Sequence, residues 1–201
     1  MNEQVGFSPE RYYNDSFFVN VGTNDQNAFP AGVREFYEKL NGDVRMYAHP
    51  GGGHPAEARV QIQSMQLWLA HKFFGMPLPE VALLRPQIKD ERIVFTCEIG
   101  EPDGVETVEL SYALYEERQA RIPKPDERPL FWSPATYGPH TKAKWKSVEM
   151  EDVGGYYSAS IPVLDLEKLH YTVRARVTKG HVSGYLSSPV YIAKQSLGAS
   201  E

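Results

Sequence analysis

Two residues in the first third of the chain are of the types that move protons. Asp25 ends the run Gly22-Thr23-Asn24-Asp25, and His54 ends the run Gly51-Gly52-Gly53-His54. A carboxylate can hold an imidazole in one tautomer, and an imidazole so held can take the proton of an attacking hydroxyl. Together they make the acid–base half of a nucleophilic triad. The glycines ahead of His54 suit that role, because a Gly-rich turn lets a histidine project from a loop without backbone clash. Each residue also has a plainer reading: Asp25 as a cap for the helix that follows it, and His54 as an ordinary loop histidine before Pro55.

The elements that must position these loops alternate strand and helix. Phe17-Phe18-Val19-Asn20-Val21 is a short apolar run, as expected for a strand covered on both faces. Residues 31–40 follow with Val33, Phe36, Tyr37 and Leu40 at helical spacing, and Asn41-Gly42 ends that helix. Val44, Met46 and Ala48 alternate with Arg45 and Tyr47, which predicts a second strand. Residues 55–74 predict a long helix, with Ala58, Ile62, Met65, Leu69 and Phe73 on its inner stripe and Gly75 and Pro77 closing it. Strand, helix, strand, helix with short connections predicts parallel strands. Loops at the carboxyl ends of neighbouring parallel strands lie side by side, which would bring Asp25 and His54 together.

From Leu78 the pattern changes. Ile93, Phe95, Cys97 and Ile99 alternate, as do Val108, Leu110, Tyr112 and Leu114, then Tyr157, Ala159, Ile161 and Val163, then Leu169, Tyr171, Val173, Ala175 and Val177. Turn signals stand at Pro102-Asp103-Gly104, Gly154-Gly155 and Lys179-Gly180. About seven strands without an intervening helix predict an immunoglobulin-like antiparallel sandwich. The polar residues His170, Thr172, Arg174 and Arg176 are expected on its wet face. The Pro-rich residues 122–139 are expected as a surface loop, with Phe131 and Trp132 docked on a neighbouring surface. The division expected is an α/β segment over residues 1–77, the sandwich over 78–195 and a tail over 196–201.

Composition narrows the function classes. A net charge of −5 with no basic stripe argues against a nucleic-acid partner. Apolar runs are too short for a membrane span, and no export signal opens the chain, which leaves the compartment open. The single cysteine, Cys97, sits in an alternating strand and reads as a small buried apolar residue. His49 and His54 with Asp25 match no metal-ligand spacing, so no metal and no cofactor are expected. His71 is expected to be solvated on its helix, and His140, His170 and His181 on exposed polar positions of the sandwich. The 12 tyrosines and three tryptophans suit half-buried strands as well as sugar stacking.

On these motifs residues 17–74 resemble the last two strand–helix units of the α/β-hydrolase fold. Val19-Asn20-Val21-Gly22-Thr23-Asn24-Asp25 looks like its acid loop, and Tyr47-Ala48-His49-Pro50-Gly51-Gly52-Gly53-His54 like its histidine loop. With a sandwich trailing, the resemblance is greatest to PhoPQ-activated pathogenicity-related proteins and to acetyl-xylan-esterase or prolyl-oligopeptidase-like hydrolases. It implies an α/β segment followed by the sandwich, with Asp25 as catalytic acid and His54 as general base. Asn24, the runner-up for the acid position, reads by itself as a structural neighbour. The sequence departs from the family in one decisive respect. Gly-x-Ser-x-Gly is absent, Gly6-Phe7-Ser8-Pro9 is no substitute, and Gly51-Gly52-Gly53-His54 runs opposite to an oxyanion motif.

The first six strands of such a sheet would lie ahead of residue 1, and the chain alone is expected to hydrolyse nothing. Three readings follow. The chain is the C-terminal portion of a serine esterase or peptidase, or a non-catalytic remnant whose sandwich binds, or one subunit of a split hydrolase. The partner expected is the missing N-terminal part, or a second chain covering the strand of residues 17–21, with an ester or amide substrate in the whole enzyme.

Overall fold

The computed structural model describes residues 15–25, 30–53, 58–116 and 139–198. Phe17–Gly22 (β1) and Val44–His49 (β2) pair in parallel, from Phe17 opposite Val44 to Gly22 opposite His49. Between them runs helix α1, Pro30–Glu38, and after them α2, Ala58–Phe74. The unbroken apolar run of β1 has a simple cause. Val19 and Val21 pack with Val33 and Tyr37 of α1 and with Met46 and Ala48 of β2. On the opposite face Phe18 meets Trp68 of α2, and the Asn20 side-chain amide donates to the Gln61 carbonyl at 3.3 Å.

Ten more strands follow: Glu80–Leu83 (β3), Gln87–Lys89 (β4), Arg92–Gly100 (β5), Val105–Leu114 (β6), Lys146–Glu149 (β7), Glu151–Asp152 (β8), Tyr156–Pro162 (β9), Leu169–Lys179 (β10), Val182–Ser187 (β11) and Tyr191–Ile192 (β12). A short helix, Ala193–Gly198 (α3), closes the described chain. One antiparallel sheet runs β11-β10-β6-β7, with β12 also on β10, and the other runs β3-β5-β9-β8, with β4 also on β5. Their alternating apolar residues meet in one core: Ile93, Phe95 and Cys97 face Leu110, Tyr171 and Val173, with the Phe95 and Tyr171 rings 4.7 Å apart.

The expected architecture of an α/β hydrolase segment ahead of a separate immunoglobulin-like sandwich is therefore corrected. Twelve strands stand against three α-helices among the described residues, and every pairing except β1 with β2 is antiparallel. The described residues are β-rich and show no hydrolase-like sheet. Two parallel strands cannot bury themselves, and here they borrow cover from the antiparallel body. Ser187, at the end of β11, accepts a hydrogen bond from the Ala48 amide at 2.8 Å, and Tyr47 stacks on Tyr185 at 5.6 Å.

Helix α2 docks on β11 through its least bulky point. A Cβ on Gly184 would lie 2.7 Å from the Ser64 Cα, so only glycine admits the helix at this distance. The Tyr185 amide then donates to Ser64 Oγ at 2.9 Å. The buried face of α2 is thus centred on Ser64, Leu67 and Ala70. The expected inner stripe is turned away, with Ile62, Met65 and Phe73 exposed by 48%, 42% and 75%. Apolar residues surround this helix, so their period does not select a face; the Ser64–Gly184 fit does.

Candidate active site

The loops after β1 and β2 are stitched together. The Asn24 amide donates to the Gly52 carbonyl at 2.8 Å, the Thr23 amide to the His49 carbonyl at 3.0 Å, and the Gly51 amide to Thr23 Oγ1 at 2.8 Å. Gly22 lies beneath the second loop, where a Cβ would stand 2.3 Å from the Gly52 oxygen. Gly51 adopts φ of 75°, a left-handed conformation that suits glycine. The glycines of the two loops therefore serve contact between the loops.

Asp25 ends a tight turn, its amide donating to the Gly22 carbonyl at 3.1 Å, and only 6% of the residue is exposed. Helix α1 opens at Pro30, so Asp25 is not adjacent to its first turn. His54 lies outside the described residues, and the described part of its loop ends at Gly53. The backbones of the two loops are joined at the carboxyl ends of parallel strands.

The antiparallel body contributes a brace that the sequence does not announce. The side-chain amide of Asn24 is held at both ends. Its Nδ2 donates to the Ala143 carbonyl at 2.9 Å, and its Oδ1 accepts from Trp145 Nε1 at 3.0 Å. Asn24 is thus the structural neighbour that the motif suggested. Trp145 leans toward Tyr115 at 6.4 Å, and Tyr115 stacks on His170 at 3.6 Å with the rings nearly parallel. No local spacing links residues so far apart in the chain, so only the fold reveals this set.

No known protein family, curated protein or solved structure matches the chain.

Other histidines depart from expectation. His170 is buried, as is Thr172, because Tyr115 and the Ser188 turn cover that face of β10; Thr172 Oγ1 donates to the Ser188 carbonyl at 2.8 Å. Arg174, further along, is half-buried between Glu109 at 2.8 Å and the Tyr185 ring. His71 is not solvated: one ring nitrogen is 2.9 Å from Asp43 and the other 2.6 Å from the Met76 carbonyl. Lys72 and Arg45 also reach Asp43, at 3.0 and 3.1 Å. Partial burial raises the Asp43 carboxyl, but the hydrogen bonds from Lys72 and His71 and the charge of Arg45 outweigh it and hold the group below its ordinary value. This knot ties the end of α2 to the entry of β2.

His49 is engaged with the Tyr47 hydroxyl at 2.6 Å. Among the described residues no group of three His, Cys, Asp or Glu side chains could hold a metal. Cys97 is buried and in no disulfide, its thiol pushed up to about 12 by burial, which makes it a poor nucleophile. The stretch 122–138, with Phe131 and Trp132, lies outside the described residues.

Proposed function

We propose that this chain supplies the acid and the histidine of a serine-type hydrolytic site for ester or peptide bonds, with the nucleophile coming from outside its sequence. In this reading Asp25 orients His54, and His54 takes the proton of the attacking hydroxyl. The observation that carries the reading is the pair of hydrogen bonds, Asn24 amide to Gly52 carbonyl and Gly51 amide to Thr23 Oγ1, that fixes the two loops against each other. The buried position of Asp25 supports it too, since a carboxylate withdrawn from water orients a neighbour more strongly.

Hydrolysis of p-nitrophenyl acetate tests the missing half. The isolated chain should turn over no faster than its His54→Ala variant. Turnover that disappears in that variant would show that the chain carries its own nucleophile. Carbethoxylation of His54, followed by peptide mass mapping, tests the half that is present. Its rate should change several-fold in Asp25→Asn, and an unchanged rate would separate the two residues.

A further inference from the structure

One unbroken series of hydrogen bonds runs from the antiparallel body into both candidate loops. Trp145 Nε1 donates to Asn24 Oδ1 at 3.0 Å, and the Thr23 hydroxyl donates to the same oxygen at 3.4 Å. The Thr23 oxygen in turn accepts from the Gly51 amide at 2.8 Å. Asn24 Nδ2 donates back to the body, to the Ala143 carbonyl at 2.9 Å. We propose that Trp145 is a positioning residue of the site. Its indole N–H, acting through Asn24 and Thr23, sets where the acid loop stands against the histidine loop. The inference rests on the reading that Asp25 orients His54, and it names the group that fixes the spacing between them.

Donor directions agree along the whole series. An indole N–H can only donate and a carbonyl can only accept, so one orientation of the Asn24 amide satisfies both Trp145 and Ala143. That orientation presents the amide oxygen to Thr23, whose hydrogen goes to Asn24 and whose lone pairs remain for Gly51. An aspartate at position 24 could not donate to Ala143. Both ends of the series are anchored. Trp145 packs against the cluster of Met46, Ala48 and Val190 and leans toward Tyr115. It directly precedes β7, whose residues 146–149 pair with β6 from Lys146 opposite Tyr112 to Glu149 opposite Glu109. At the other end Thr23 is only 1% exposed, so water does not compete for its hydroxyl. Asn24 adjoins Asp25 in the tight turn closed by the Asp25 amide on the Gly22 carbonyl. A shift of the Asn24 side chain therefore turns the backbone that carries the carboxylate.

The rate of carbethoxylation of His54 in the full chain, compared among four variants, tests this. Trp145→Phe keeps an aromatic ring and removes the N–H, and Thr23→Val keeps the shape of the side chain and removes the hydroxyl. Trp68→Phe is the control for packing. Trp68 lies against Phe18 on the other face of β1, and its N–H has no hydrogen-bond partner among the described residues. Asp25→Asn marks the full effect. Trp145→Phe and Thr23→Val should each shift the rate in the direction of Asp25→Asn, by about two- to tenfold, the span that one hydrogen bond commands. Trp68→Phe should leave the rate unchanged. Circular dichroism and the melting temperature establish that each variant is folded, and if Trp145→Phe does not fold, Thr23→Val decides. A rate changed by Asp25→Asn but by neither Trp145→Phe nor Thr23→Val overturns the role of Trp145 and leaves the acid–histidine reading standing. An equal shift in Trp68→Phe overturns that role too, because loosened packing would then suffice. A rate indifferent to Asp25→Asn overturns the acid–histidine reading itself.

Discussion

The antiparallel body and the parallel pair bury their strands by different means. In the body each sheet finds its cover in the other, and Phe95 of β5 against Tyr171 of β10 is the contact that typifies it. Its strands hydrogen-bond along long registers, β10 with β6 from Leu169 opposite Leu114 to Val177 opposite Val105. The parallel pair owns no such partner. It is covered by α1 on one face and α2 on the other, and it leans on β11 through Ser187, Tyr185 and Gly184. Self-sufficiency in one region thus supports a less stable one, and the candidate loops sit in the supported region. Segments that open locally are drawn from such less covered parts of a fold.

The sharpest way to break this dependence is at the contact of α2 with β11. Gly184→Val should cost about 2–3 kcal/mol by overpacking, because its side chain must push Ser64 away. Hydrogen exchange should then rise in α2 and β2 while the amides of β5, β6 and β10 keep their protection. Equal loss of protection in both regions would mean that they do not differ as described.

A smaller effect is expected at the polar knot. Asp43→Asn should cost about 1–2 kcal/mol, the scale of hydrogen bonds between charged groups less the exposure of this one. Its pH dependence has a definite sign. The folded carboxyl lies below its unfolded value, so its contribution is present above about pH 4 and is lost as pH falls through the folded value. Denaturant titrations should show a flatter acid limb in Asp43→Asn than in the wild type. An identical slope would mean that Lys72 and His71 add nothing to the pair.

The smallest expected change lies in the body, at the hairpin between β4 and β5. Lys89 pairs with Arg92 across a two-residue turn in which Asp90 and Glu91 have φ of 50° and 58°. Glycine tolerates that conformation better than glutamate. Glu91→Gly should therefore raise stability by about 0.5–1 kcal/mol and leave exchange in α2 relative to the body unchanged.

How much of this was legible in the sequence differs between the same two regions. Alternation located β5, β6, β9 and β10 because each has one face in a shared core, and the turn glycines Gly104, Gly154 and Gly180 all have positive φ as their positions suggested. The strands β1 and β2 and their parallel order were legible too. Three things were not. The architecture around the pair was misread, since its apolar faces require cover but do not say that β11 provides it. The stripe of α2 was assigned to the wrong side, because a helix apolar all round is oriented by one small contact, Ser64 on Gly184. His170 was placed in water by alternation alone, although Tyr115 covers it. In the candidate site the loops that follow β1 and β2 and the glycines within them were readable from local sequence. Trp145 was not, since its bond to Asn24 exists only through the fold.

The central claim is that Asp25 holds His54, and nitrogen-15 NMR of the His54 ring tests it most directly. In the wild type the ring should show one fixed tautomer with a strongly deshielded N–H slow to exchange with water. In Asp25→Asn that proton should be lost and the two tautomers should average. Ring spectra identical in the two proteins would contradict the account.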